Sequence, residues 1–532
     1  MGFFGGLGSL FGGGRGKNAP LLRGQPGAAY MRGEQTALFS TWAPSLRDPK
    51  DDVQAAWWRG AARTIDLLHN SGWLAGVVNK GCASVMGTGL QLALNPDASA
   101  LGWDAKTAND WARIAERRWE LWARSPLECD AAGKNDIHQL AKAALRSYFG
   151  LGEWVVWFRW IDRPESQTKT KIHLIPAHRL VQNSNGNDLF QGIRVDRNGL
   201  PRSYLFRLDT NAFNSEEYTE IRARDVGNRT VIRHCFDGDI GQMRGMSVFA
   251  PVLQVLRQYD QLANATLTSA LAQAIVAATI ESPSPTQEVL SAFATLDEQG
   301  VGGDIGSYLE ARAGWYDKTN FNLGGLARIV HLFSGEKLDF KRSETPNSNY
   351  EPFSRFLLRE MAACGGFTFE DVTGDYTGAT YSSIKMSTTT NWPIQLWRRS
   401  HIAAPFYQSA FECWLEESIE RGETSLPNGV NDSAAFFAAN RAALCRATWR
   451  GPSKPIPDEV KFALANEKLY GLGVVTSEMI AGELGHDIED VYDQLQREKQ
   501  MREERDLPDP VIVSPPAPAG AEDAPDKPEG KD

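Results

Sequence analysis

Apolar residues recur three or four positions apart along much of this chain, and the longest such run begins at Val248. Phe249, Val252, Leu253, Leu256, Tyr259, Ala263, Leu267, Ala270, Leu271, Ala274 and Ile275 fall on one helical stripe. The pattern predicts a single helix from Val248 to about Ile280, capped by Ser247 and ended by Pro283. At the usual rise it would be roughly 50 Å long. Only Arg257 and Asp260 are charged between Ser247 and Ile280. So long a helix with so little charge is expected to pack against protein on several sides, copies of itself included.

The same periodicity predicts helices over Asp51–Met86, Trp103–Ser125, Asp136–Gly150, Tyr350–Cys364, Tyr381–Arg399, Ile402–Glu420, Asp458–Tyr470, Ser477–Leu484 (capped by Thr476) and Ile488–Arg502. Strand signals are β-branched and aromatic. They cover Glu153–Trp160, Lys171 up to the stop at Pro176, Gln191–Arg194, Pro201–Arg207 and Thr230–Arg233, with Asn198-Gly199 as a hairpin turn. A further strand begins at Leu90, after the glycines that end the first helix. Gly365–Thr380 reads as a loop between two helices, long enough to suggest a functional or mobile segment. The result is an α+β chain with a Gly-rich, aperiodic arm over 1–50 and a Pro-rich acidic tail after Leu507, both expected to be flexible.

Composition narrows the function. With 532 residues, 42% hydrophobic and 23% charged, the chain reads as a soluble globular protein of several domains. The formal charge of −10 argues against a broad basic grip on nucleic acid, though not against loose enclosure of DNA. Cys82, Cys129, Cys235, Cys364, Cys413 and Cys445 are scattered, without metal or disulfide spacing, as expected of free thiols in a reducing compartment. No apolar run is long enough to span a membrane, and the start lacks the pattern of a secretory signal.

Candidate chemistry is sparse. Gly12-Gly13-Gly14-Arg15-Gly16-Lys17 lacks phosphate-loop spacing, so the chain is not expected to be an ATP-driven motor. His173 and His178 lie five apart around a Pro-bearing strand end, and His234 precedes Cys235; ordinary strand histidines are expected, with no metal and no cofactor. Glu416-Glu417 and Asp51-Asp52 are adjacent acids that point to different faces, so no catalytic residue is assigned. Trp103, Trp111, Trp119 and Trp122 could stack on bases but fall on helical stripes, which predicts core. Lys337, Lys341, Arg342, Arg355 and Arg359 flank the helix over 350–364 and would meet phosphates only if that helix lined a channel.

Several short motifs, in order, resemble the lambda-type portal proteins of tailed phages. They are Val85-Met86-Gly87-Thr88-Gly89-Leu90; Gly152-Glu153; Ile175-Pro176-Ala177-His178-Arg179-Leu180; Asn198-Gly199-Leu200-Pro201 with Tyr204; and Gly241-Gln242-Met243-Arg244-Gly245-Met246-Ser247 before the long helix. Thr380-Tyr381-Ser382-Ser383-Ile384-Lys385, Trp449-Arg450-Gly451-Pro452 and the helices after Ile456 extend the match over roughly 55–495. Thr380 stands where the family has Asn, and Ile456 where it tends to have Asp.

The resemblance implies an α+β portal-type subunit. After the flexible arm (1–50) it would comprise a wing (51–245), a stem helix (246–282), a clip (283–345), a second stem helix (346–364) and a tunnel loop (365–380). A tunnel helix returning to the wing (381–454), a helical crown (455–505) and the disordered tail (506–532) would complete it. It further implies a non-enzymatic ring of about twelve copies at one capsid vertex, seeding capsid assembly in the host cytoplasm and then residing in the virion. Implied partners are double-stranded DNA in the channel, the terminase large subunit, a head–tail adaptor, and the major capsid and scaffolding proteins, with no membrane. Thr368, Asp371, Thr373, Asp375, Tyr376 and Thr377 would face DNA, with Lys341, Arg342, Arg355 and Arg359 as channel cations. Two alternatives are a soluble hydrolase with an unrecognised carboxylate site and a ring-forming adaptor that passes no DNA.

Overall fold

The computed structural model describes residues 44–207, 218–275, 350–427, 432–454, 459–486 and 488–508, the single positions 314 and 430, and four short strands between 279 and 339. The first helical pattern becomes two helices, α1 (Pro49–Asn70) and α2 (Gly72–Met86), because Ser71 between them is extended. Gly87 and Gly89 end α2 at positive φ; a Cβ on Gly89 would lie 2.1 Å from the His138 ring. Strand β1 (Gln91–Leu94) follows. Helix α3 (Ala105–Arg124), capped by Asp104, buries the tryptophan stripe. Trp119 packs edge-on against Phe411, Trp414 and Trp449, so these rings are core and not base-stacking platforms. Helix α4 (Ile137–Leu151) starts in an Asp136/Gln139 capping box and ends at Gly152 in the left-handed region.

Two small antiparallel sheets come next. Their strands are β2 (Glu153–Trp160), β3 (Thr170–Ile175), β4 (Leu189–Phe190), β5 (Ile193–Val195), β6 (Pro201–Phe206), β7 (Thr219–Arg222), β8 (Arg224–Asp225) and β9 (Thr230–Phe236). The orders are β3-β2-β9-β8 and β4-β5-β6-β7, so the adjacent strands β7 and β8 join one sheet to the other. In the β5–β6 turn Asp196 accepts from the backbone of Asn198 and Leu200, and Gly199 supplies the positive φ.

The long helix is shorter than its pattern. A 3₁₀ turn (Ala250–Val252) leads into α5 (Leu253–Ile275), ~35 Å long, and residues 279–281 form strand β10. Ser247 does not cap it: its hydroxyl donates to the Phe149 carbonyl at 2.6 Å and accepts from the Phe249 amide at 3.2 Å. Strands β11 (Phe321–Leu323) and β12 (Ala327–Ile329) pair together, and β13 (Lys337–Asp339) pairs with β10. Helix α6 (Tyr350–Gly365) packs on α5 and is followed by α7 (Phe369–Thr373), α8 (Tyr381–Arg398) and a π-helical turn (Arg399–Ala403). Helix α9 (Ala404–Glu420) runs through the core with Phe406, Tyr407, Phe411 and Trp414 fully buried. After α10 (Ser433–Leu444), strand β14 (Ala447–Arg450) pairs with β1, setting Trp449 opposite Leu92. The chain closes with α11 (Glu459–Gly471), α12 (Ser477–Glu483) and α13 (Ile488–Glu504). No helix among the described residues is long and apolar enough to cross a membrane.

Candidate functional site

The segment read as a loop, 365–380, is a folded ledge with a short exposed tip. Gly366, at φ +69°, ends α6, and the Phe367 amide donates back to the Ala362 carbonyl at 2.9 Å. That turn drives Phe367 into the core, 6.3 Å from the Phe149 ring. Helix α2 approaches closely here: a Cβ on Gly81 would lie 2.7 Å from Phe149 and 2.9 Å from Phe367. Thr368 then caps α7 in a reciprocal box with Asp371, Val372 is buried, and Gly374 ends the helix at φ +69°. Asp375 accepts from the Thr377 amide and hydroxyl, which hold its carboxyl below the usual range, and pairs with Arg355 at 2.9 Å. Thr380 caps α8.

Of the six residues expected to face DNA, Thr368, Asp371, Thr373 and Asp375 thus have polar atoms engaged within the segment. Tyr376 and Thr377 project, with Tyr376 55% exposed. Of the expected channel cations, Arg355 is engaged by Glu351 and Asp375, and Arg359 lies 5.3 Å from the Phe369 ring centre. Lys341 and Arg342 lie outside the described residues. A groove of ≈ 300 Å³ opens beneath the tip, between Phe367, Asp371 and Tyr376 on one side and Thr388, Trp392 and Gln395 of α8 on the other.

Two buried arginines anchor this ledge to the body. Arg398 lies 5.2 Å from the Phe149 ring centre and 5.5 Å from that of Phe367, and burial lowers its pKa. Arg399 donates to the Val85 and Pro452 carbonyls, each at 2.8 Å, with its pKa pushed down to about 10 by burial. Gln395 donates to the Gly366 carbonyl at 3.0 Å.

Behind this region lies an ionic cluster that the sequence reading left unassigned. Glu153, the first residue of β2, and Arg244 are both fully buried. Arg244 Nε donates to Glu153 Oε1 at 2.7 Å, the Gly245 amide donates to Oε2 at 2.8 Å, and His234 Nε2 lies 2.9 Å from Oε2. The other guanidinium nitrogens reach the carbonyls of Ala177, Leu180 and Gln191. Trp57 stacks on Arg244 at 4.2 Å and donates to the Gly245 carbonyl at 2.8 Å. Burial alone would raise the Glu153 pKa; the Arg244 charge and the His234 contact outweigh it and bring it to about 2. The backbones of Gly152 and Gly245 touch: a Cβ on Gly152 would sit 2.2 Å from Met246 backbone, and one on Gly245 2.2 Å from the Gly152 carbonyl oxygen. The sequence signal was present in two places. A carboxylate opens an otherwise apolar strand, and an arginine lies between glycine-flanked turns in a nearly uncharged run.

The remaining candidates are structural. His173 stacks on Trp157, and burial lowers the pKa of both His173 and His178. Burial raises the Cys235 thiol to about 12, the reverse of what a nucleophile needs. Glu417 is buried and accepts from the amides of Lys169 and Thr170, while Glu416 faces Arg441 at 2.6 Å. Among the described residues no group of three or more His, Cys, Asp or Glu could hold a metal.

The sequence model of the family described as phage portal protein, lambda family, matches residues 35–399, a span that contains the ionic cluster and the ledge. The portal protein of Escherichia phage N15 is 26% identical over 476 residues, 88% of this chain and 89% of that protein. Portal protein B of Escherichia phage lambda is 26% identical over 481 residues, again 88% and 89%. Among solved structures, a chain from the neck of a native GTA particle covers 80% of this chain and 93% of its own length, at TM-score 0.43 and 11% identity. With a family match over most of its length, this chain belongs to the lambda family of phage portal proteins.

Proposed function

We propose that about twelve copies close into a ring at one capsid vertex and that double-stranded DNA passes through it, with the Tyr376–Gly378 tip facing the duplex. The portal family is structural and not enzymatic, and its members belong to the phage particle. The observation that carries the reading is the contrast within residues 365–380. Phe367 and Val372 are buried, whereas 376–378 project as small or polar residues without a positive charge. A surface that must let DNA slide should make few phosphate contacts, because affinity rises steeply with their number.

In this reading the wing is 51–245, the stem helices are 246–282 and 346–364 with the clip between, the tunnel helix returns to the wing over 381–454, and the crown is 455–505. The stem supports a ring. Leu267 and Leu271 of α5 and Phe353 and Phe356 of α6 are more than half exposed, on helices that a neighbouring copy would cover. During assembly in the host cytoplasm the ring meets scaffolding and capsid proteins and the terminase large subunit; a head–tail adaptor binds after packaging. Because Phe367 and Val372 belong to the core, deleting 365–380 would disturb folding as well as passage. Tyr376→Ala/Thr377→Ala is the cleaner test: rings should form normally while genome packaging or retention falls. Normal packaging by that variant removes the tip from the channel. A ring whose opening is narrower than a duplex, ~20 Å across and wider than either of its grooves, would favour the adaptor reading.

A further inference from the structure

We propose that α2 and α4 together present a phosphate-contacting face for double-stranded DNA, formed by Lys80, Lys142 and Arg146; it rests on the DNA-passage reading and adds a site to it. The chain carries a net charge of −10, yet α2, α4 and α8 contain no acidic residue. Arg146 Nη1 donates to Asn79 Oδ1 at 2.6 Å, which ties α4 to α2 beside Lys80. Lys142 lies one turn before Arg146 and so on the same side of α4. Cys82, buried at this crossing, feels the charges of both Arg146 and Lys142. Lys80 and Lys142 are exposed, and among the described residues no carboxylate pairs with any of the three cations.

The character of the face selects the partner. The exposed positions beside the cations include Ala83 and Ala143, with no exposed aromatic or long apolar side chain on α2 or α4. A protein partner would need an apolar or aromatic anchor to bury. A duplex backbone needs only spaced positive charge on a surface it can approach. The face also adjoins the ledge: Ser84, one turn beyond Lys80 on α2, lines the groove beneath the 376–378 tip. The acids that border it belong to α7, where Asp371 is committed to its capping box. Three cations per subunit suit a contact that releases readily. Each phosphate neutralised adds a salt-dependence slope of about −0.9, so the contact weakens quickly as salt rises.

The test uses rings of the full chain and a labelled duplex of about 30 base pairs, with binding followed by anisotropy from about 50 to 200 mM salt. Lys80→Gln/Lys142→Gln/Arg146→Gln should flatten the log–log salt slope by up to about three contacts' worth and weaken binding at the lowest salt by about tenfold or more. Lys468→Gln/Lys499→Gln, in the terminal helices, should bind as wild type does. Native mass first establishes that each variant forms rings. Equal slope and affinity in the triple variant and wild type would overturn the proposal, as would a wild-type ring that does not bind the duplex at the lowest salt. A triple variant that fails to form rings while the single variant Lys142→Gln binds DNA as wild type does would assign the face to a neighbouring copy, also overturning it. The tip is tested separately. If Tyr376→Ala/Thr377→Ala packages normally while the triple variant loses slope, the tip assignment fails and the phosphate face stands.

Discussion

The wing and the stem-to-crown half of this subunit satisfy their side chains in opposite ways. In the wing, Glu153, Arg244, His234 and Trp57 close on one another, and the chain crosses itself at Gly152 and Gly245 with no room for a Cβ. In the other half, α11 has no buried side chain, and α5 and α6 leave Leu267, Leu271, Phe353 and Phe356 in solvent. One half is completed by its own chain; the other is shaped to be completed by neighbours. The motif residues that carry the family resemblance concentrate in the first half. They specify how a subunit folds more than what it touches.

The sharpest way to break that contrast is to attack the ionic cluster. Arg244→Met leaves the Glu153 carboxylate buried without its cation and should cost the wing about 3–5 kcal/mol. The double variant Glu153→Gln/Arg244→Met should recover part of that loss, because no charge is then stranded. Thermal unfolding of both variants measures it, and a double variant no more stable than Arg244→Met would mean that the cluster acts through shape and not charge. The pH dependence follows with its sign. The folded Glu153 pKa is about 2, below the ordinary carboxylate value of roughly 4.3. Its stabilisation is therefore complete above that ordinary value and is lost as pH falls towards 2. Wild type should lose stability relative to Glu153→Gln over that window, and parallel curves would place the depressed pKa elsewhere.

The opposite half should respond in assembly and not in folding. Leu267→Asp or Phe356→Asp should leave wing unfolding within experimental error of wild type while shifting native mass from ring to monomer. Each such side chain is worth roughly 1.5–3 kcal/mol when covered. Intact rings from both variants would mean that the exposed stem residues face solvent in the assembly, and the contrast between the halves would then hold only for the crown.

Local signals carried much of the fold. The limits of β2 followed from its β-branched and aromatic run, and α4 from its cap and its terminal glycine. What periodicity could not show was a break that one residue makes. Ser71 is extended and splits α1 from α2, and the 3₁₀ turn through Pro251 delays α5 to Leu253. Pairing across distance was equally hidden: β1 meets β14 only because α9 and its aromatic residues bring the ends of the fold together. Glu153 and Arg244 were visible as motif letters but not as partners, since nothing local links two charges 91 positions apart. The ledge was legible as a segment and not as a structure. Its Thr368–Asp371 spacing is that of a capping box, but the length of the loop outweighed it.

That capping box gives the smallest expected effect and the finest test of how the two halves meet. Thr368→Ala removes the side chain that accepts the Asp371 amide and should cost about 1 kcal/mol. Most of the cost should fall locally, because Phe367 and Val372 still hold the ledge to α2 while α7 frays. Hydrogen exchange at the amides of Val372 and Gly374, whose bonds close α7, should therefore accelerate with little change in the unfolding of the wing. Tyr376→Ala should leave those amides unaffected, because its exposed side chain contributes nothing to the box. If Thr368→Ala instead loosens the wing as a whole, the ledge is part of the self-sufficient half, and the boundary between the halves moves from Gly365 to the tip at Tyr376.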